Sequence, residues 1–202
     1  MNTSTDTTNT DARHPATHPY RAIAIGASFG GPDVLQTLLA RLPASFRLPI
    51  FIVQHRSSGR DGAFANMLAR HCALPVLNVY DKLPIRAGHV YVAPPNYHLL
   101  VERNKRLSLS VDEKEHFVRP AADVLLETAA EAYLGQLVGV IVTGANADGA
   151  RGLKRVYELG GLTIVQSPDT AMASAMPKAA IATGCAQHVL EPAAIAAMLS
   201  TL

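Results

Sequence analysis

RAIAIGASFGGPDVLQTLL, residues 21–39, carries the pattern of an α/β unit. Ala22-Ile23-Ala24-Ile25 is a short apolar run rich in β-branched residues, the signature of a buried strand. Gly26 to Gly31 is a tight glycine-rich turn, and Pro32 suits the first position of a helix. Val34, Leu35, Leu38 and Leu39 then repeat on one helical face. The stretch therefore reads as strand, turn, helix.

The same pattern recurs outward from it. Pro49 to Val53 is strand-like and ends in Gln54-His55. A polar loop from Arg56 to Asp61 leads to a helix carrying Phe64, Met67 and Leu68. Val76 to Tyr80 and Val90 to Val92 read as strands, and Asn104-Lys105 sits between two alternating runs as a hairpin turn. Arg119-Pro120 opens a helix with Val124, Leu125, Ala129 and Ala132. Val138 to Val142 is a further buried strand, followed by a polar loop from Thr143 to Gly149 and a helix to about Leu159. Leu162 to Val165 is another strand, and Ala193 to Leu199 a closing helix. Strands alternating with helices imply an α/β domain. The expected architecture is a single doubly wound, mainly parallel sheet with helices on both faces and a small β-hairpin insertion. Its ligand belongs outside the carboxyl ends of the strands.

Three polar residues stand just beyond three of these strands: Ser28, His55 and Asp148. A serine hydroxyl is a weak nucleophile until a base takes its proton. A neutral imidazole can act as that base, and a carboxylate can fix its tautomer and stabilise the imidazolium. Gly26-Ala27-Ser28-Phe29-Gly30 also fits G-x-S-x-G, a spacing that exposes the hydroxyl on a sharp strand-to-helix turn. Each residue has a plainer reading too. Ser28 suits a turn or cap, His55 a structural role, and Asp148 an N-cap. A phosphate could sit on the glycine turn, although Ser28 occupies the second glycine position of G-x-G-x-x-G and no Lys-Ser/Thr phosphate-loop ending follows. What favours the serine reading is the shared sheet edge.

Composition narrows the classes. The chain has 202 residues, 49% of them apolar, enough for one domain with a real core. A net charge of +2, with aromatics at 5%, gives little footing for nucleic acid. Cys72 and Cys185 read as reduced thiols. No His, Cys or carboxylate spacing suggests a zinc site, and the chemistry needs no cofactor. Residues 1–20 read as a disordered polar tail without the basic start and apolar centre of a secretion signal, and 21–202 as the catalytic unit. No apolar run is long enough for direct membrane insertion. The expected location is cytoplasmic.

Taken together, AIGASFGG (24–31), VQH (53–55), GHVYVAPPNYH (88–98), RPAADVL (119–125), VIVTGANADGARG (140–152) and AMPKAA (175–180) resemble the catalytic domain of the CheB-type chemotaxis protein-glutamate methylesterases. The resemblance runs over about residues 21–199. It implies removal of methyl groups from glutamate methyl esters on the cytoplasmic helices of chemoreceptors, with glutamine deamidation in some members. It places a Ser-His-Asp triad on Ser28, His55 and Asp148. Main-chain N–H groups near Phe29 and Ala145 become the candidate oxyanion donors. Arg56, Arg119, Met176 and Lys178 become substrate-contact candidates. Arg56, Arg60, Arg119 and Lys178 could face an acidic helical partner, or each could be an ordinary solvated surface charge.

Three departures from the family pattern stand out. Phe29 replaces a threonine whose hydroxyl can help position the histidine. Thr143-Gly144-Ala145-Asn146 replaces Thr-Gly-Met-Gly, and Arg56 stands where an apolar residue is common. The family also commonly carries an N-terminal phosphorylatable receiver domain, so the chain is expected to be the esterase unit alone, without phosphorylation in cis. The competing reading is a binding or regulatory module on the same fold with weakened catalysis.

Overall fold

The structure is a computed structural model that describes residues 19–56 and 62–202. The expected tail up to residue 18, most of the polar loop before the second helix, and Arg60 lie outside the described residues.

The described residues form ten strands and six α-helices, alternating except where five strands follow one another between the second and third helices. The quoted segment forms β1 (Ala22–Ala27) and α1 (Gly31–Ala40). Then come β2 (Ile50–Gln54), α2 (Ala63–Ala69), β3 (Val76–Asn78) and the two-residue β4 (Leu83–Pro84). β5 (Val90–Val92), β6 (His98–Val101) and β7 (Arg106–Ser110) precede α3 (Ala122–Tyr133). β8 (Leu137–Ile141), α4 (Ala150–Glu158), β9 (Leu162–Gln166), α5 (Ala175–Ala182), β10 (His188–Leu190) and α6 (Pro192–Ser200) complete the fold.

Seven strands form one parallel sheet in the order β10-β9-β8-β1-β2-β5-β3. The chain winds from β1 to one side, then returns to build β8, β9 and β10 on the other. β1 is thus the point where the winding reverses, the place where such sheets open a crevice at their carboxyl edge.

Both faces are buried, which is why the strands read as continuous apolar runs. Ile23 and Ile25 of β1 point to the side covered by α1, α2 and α6, against Leu35, Leu38, Leu68 and Leu199. Ala22 and Ala24 point to the side of α3, α4 and α5, against Leu125, Ala129 and Leu153. The small residues on that face let α3 approach closely: a Cβ added at Gly26 would stand 2.6 Å from Ala122 Cβ. This approach carries the start of α3 to the edge where Ser28 lies.

The expected doubly wound architecture is present, with some differences in detail. The hairpin β6–β7 gains a third strand, β4, and forms a small antiparallel sheet. The third strand of the parallel sheet stops at Asn78, because it is the sheet's edge and Tyr80 beyond it is largely exposed. α3 begins at Ala122 rather than at Arg119-Pro120, and that peptide bond is cis. The structure adds α5, which the sequence reading does not assign. Pro177 falls in its first turn, where the backbone N–H has no intrahelical partner to lose.

Candidate active site

Ser28 follows β1 directly, His55 follows β2 directly, and Asp148 lies in the loop between β8 and α4. These are three neighbouring strands of one sheet, so all three side chains rise from one edge.

The turn bearing Ser28 is fixed by its own backbone. Ser28 N donates to Thr143 O at 2.9 Å, and Ser28 O accepts the Gly31 N–H at 2.8 Å. The Thr143 hydroxyl donates to Phe29 O at 2.8 Å and accepts the Ala173 N–H at 2.9 Å. Gly30 takes φ 80°, a left-handed conformation natural to glycine. With these carbonyls committed, the Phe29 N–H makes no hydrogen bond among the described residues, and neither does the Ala145 N–H.

His55 Nε2 lies 2.6 Å from Asp148 Oδ2, with the imidazole side chain 7% and the carboxylate 0% exposed. An ionised carboxylate can only accept, so Nε2 carries a proton, and in the neutral imidazole Nδ1 is then the nitrogen with the lone pair. Nδ1 is buried without a hydrogen-bond partner among the described residues. His55 and Ser28 line one cleft of about 390 Å³, together with the apolar Phe29, Pro32, Phe64 and Met172.

Asp148 does more than face His55. Its Oδ2 accepts the Ala122 N–H at 2.5 Å and its Oδ1 the Asp123 N–H at 2.9 Å. The expected N-cap role therefore exists, but on α3 rather than on α4, whose own N-cap is Gly149. Burial alone would raise the Asp148 carboxyl. The His55 bond and the two helix N–H groups outweigh that and hold it below its ordinary value.

Behind it lies a residue the sequence reading missed. Asp123 is fully buried, accepts the Gly152 N–H at 2.7 Å, and meets His116 Nε2 at 3.2 Å. Burial and the nearby Asp148 charge raise its carboxyl. His116, Asp123 and Asp148 bring three potential metal-ligand atoms within 4.8 Å, a grouping that linear spacing hides. All four carboxylate oxygens already accept bonds from His55, Ala122, Asp123, Gly152 and His116. The cluster is a hydrogen-bond network.

The other candidates separate. Arg56 lines the Ser28 cleft, its guanidinium 5.3 Å over the Phe64 ring. It also lines an adjoining cleft of about 450 Å³ with His55, Lys114, Phe117 and Arg119. Arg119 Nη1 donates to Val111 O and Asp112 O, so it braces that wall. Met176 is fully buried, in contact range of Gly144 behind Ser28 rather than on the rim. Lys178 is exposed on α5 and lines neither cleft. Met172 and Phe117, which the sequence reading did not single out, stand on the rims, 64% and 95% exposed. Among the described residues, no helix is long and apolar enough to cross a membrane.

A family model described as CheB methylesterase matches residues 23–199. The chain belongs to the CheB methylesterase family.

Within that family, a protein of Leptospira interrogans called a putative protein-glutamate methylesterase/protein-glutamine glutaminase is 46% identical over 183 residues, covering 91% of this chain and 95% of that protein. The protein-glutamate methylesterase FrzG of Myxococcus xanthus is 39% identical, covering 90% of this chain and 54% of FrzG. The crystal structure of the Thermotoga maritima CheB methylesterase catalytic domain superposes with a TM-score of 0.86 at 34% identity, covering 90% of this chain and 97% of that one. The architecture expected from the motifs is thus that of the CheB catalytic domain.

Proposed function

We propose that this chain hydrolyses protein-glutamate methyl esters, with Ser28 as nucleophile, His55 as general base and acid, and Asp148 as its orienting carboxylate. One observation carries the reading. Asp148 holds the protonated Nε2 and leaves the basic Nδ1 buried without a partner among the described residues, on a histidine that lines one cleft with Ser28.

In this scheme Nδ1 takes the Ser28 proton as the oxygen attacks the ester carbonyl. The negative charge that develops is met by the Phe29 and Ala145 N–H groups, which have no internal partner to lose. Nδ1 then protonates the departing methoxide, which leaves as methanol. A water, deprotonated by the same nitrogen, hydrolyses the acyl-enzyme to a carboxylate. Asp148 stays ionised throughout and stabilises the imidazolium. The same steps on a glutamine side chain release ammonia. The names of the relatives support both substrates.

The clefts fit a helical, acidic protein substrate such as a methylated chemoreceptor cytoplasmic segment. The neutral ester lies among Phe29, Phe64 and Met172, while Arg56, Lys114 and Arg119 give the adjoining wall its positive charge. The test is methanol release from membranes containing methylated receptors. Release by the wild type and none by Ser28→Ala is expected. Hydrolysis of a small ester without methanol release would retain the esterase and remove the receptor substrate.

A further inference from the structure

Gln54 ends β2, one residue before His55, and is 5% exposed. The four residues before it in the strand are fully buried and apolar. Its Nε2 donates to Ser28 O at 2.7 Å and to His55 O at 2.9 Å. Both partners are acceptors, so the amide orientation is settled: only the NH2 group can face two carbonyls. The other half of the amide is poorly served. Oε1 is buried without a partner among the described residues, pressed against Gly31, where a Cβ would stand 2.1 Å from it. An apolar side chain of similar length would remove the unpaired Oε1 but would also leave His55 O without this donor, while Ser28 O would keep the Gly31 N–H.

We propose that Gln54 is a positioning residue that ties the backbone of the nucleophile to the backbone of the base. This rests on the assignment of Ser28 and His55 above. The last rung of the β1–β2 ladder is the His55 N–H on Ala27 O at 2.9 Å. Beyond it the two strands end, and no further backbone rung sets where Ser28 stands relative to His55. The Gln54 amide supplies the missing rung, with one hydrogen to each carbonyl. It couples the two residues where Phe29 offers no hydroxyl for the purpose.

Gln54→Met keeps the length of the side chain and removes both donors. Its fold is checked by circular dichroism and thermal midpoint, and its turnover is measured on a methyl ester. The fluorophosphonate labelling rate of Ser28 is measured alongside. We expect a folded protein whose kcat and labelling rate fall roughly 30- to 100-fold, with KM within about threefold, the pattern of lost alignment rather than lost binding. Gln54→Asn keeps the amide but cannot reach both carbonyls, and its kcat should lie between the two. Wild-type turnover in Gln54→Met overturns the proposal, as does a loss confined to KM or one matched by the unfolded fraction. If Gln54→Met does not fold, Gln54→Asn carries the same test. Failure of both to fold marks a purely structural residue and overturns it too. A wild type that neither labels nor hydrolyses overturns the Ser28 assignment itself, and the proposal with it.

Discussion

The Asp148 carboxylate accepts the Ala122 N–H at 2.5 Å while holding His55 with the same oxygen. The carboxylate bonded to His55 thereby also caps a helix that starts 26 residues earlier in the chain. α3 has no side-chain cap of its own. Its exposed N–H groups and its dipole stabilise negative charge at Oδ1 and Oδ2, so Asp148 remains ionised although it is buried.

Asp148→Asn should therefore fail in two ways. Its single amide oxygen cannot stand at both positions that accept the Ala122 and Asp123 N–H groups, and an amide N–H facing Nε2 would shift the imidazole proton onto Nδ1. Esterase kcat should fall about 10³- to 10⁴-fold through the wrong tautomer. Stability should drop by about 1–3 kcal/mol through the unpaired helix N–H. Steady-state kinetics and urea unfolding measure the two losses separately. Retained activity would show that His55 does not depend on Asp148 for its tautomer.

Asp123 predicts an opposite dependence on pH. Its carboxyl is raised in the folded state by burial and by Asp148. The folded protein holds that proton more tightly than the unfolded chain, so this group's stability is full in acid and is lost as pH rises through the folded pKa. Asp148, held low, behaves the other way, its contribution being lost only as pH falls through its depressed pKa. Asp123→Asn keeps an acceptor for the Gly152 N–H and removes the ionisation. Its urea midpoint should exceed that of the wild type at pH 7, and the gap should close toward pH 4. A gap independent of pH would contradict this.

Gly144 shapes the floor beneath Ser28. A Cβ there would stand 2.8 Å from Ser28 Cβ and still closer to the Met176 sulfur. Gly144→Ala should push Ser28 aside, with a loss of about 10²-fold in kcat and of roughly 1–3 kcal/mol in stability. Kinetics at a temperature where the variant is fully folded would isolate the first effect.

Phe29 should behave differently, because its side chain is 62% exposed and its backbone is held by Thr143. Phe29→Thr should change stability by less than about 0.5 kcal/mol. The change should appear mainly in KM for a protein substrate, since the side chain lines the cleft without fixing the turn. An unchanged KM with a large gain in kcat would instead show that a hydroxyl at this position aligns His55.

Much of this was legible in the sequence. The strand-turn-helix around Ser28 and the apolar runs of β2 and β8 have continuous burial on both faces, and that kind of strand shows as an unbroken run. Ser28 and His55 stand out because each follows such a run directly. Asp148 lies seven residues past β8, and its partnership with Ala122 and Asp123 depends on how closely α3 lies on β1. That approach depends on small residues such as Ala24 and Gly26, which carry little local signal. Asp123 looks like an ordinary first-turn acidic residue until packing buries it. Gln54 carries a local signal, a polar side chain closing an otherwise apolar strand. Met172 and Phe117 sit in loops whose path only tertiary structure sets.

The proposed hydrolysis requires that His55 activate Ser28 as a nucleophile. The most direct measurement is fluorophosphonate labelling at neutral pH, with the adduct located by mass spectrometry. Wild-type protein should carry one adduct on Ser28, and a folded His55→Ala variant should carry none over the same time. A folded wild type that never labels, or a label on Ser28 that persists at full rate in His55→Ala, would contradict it.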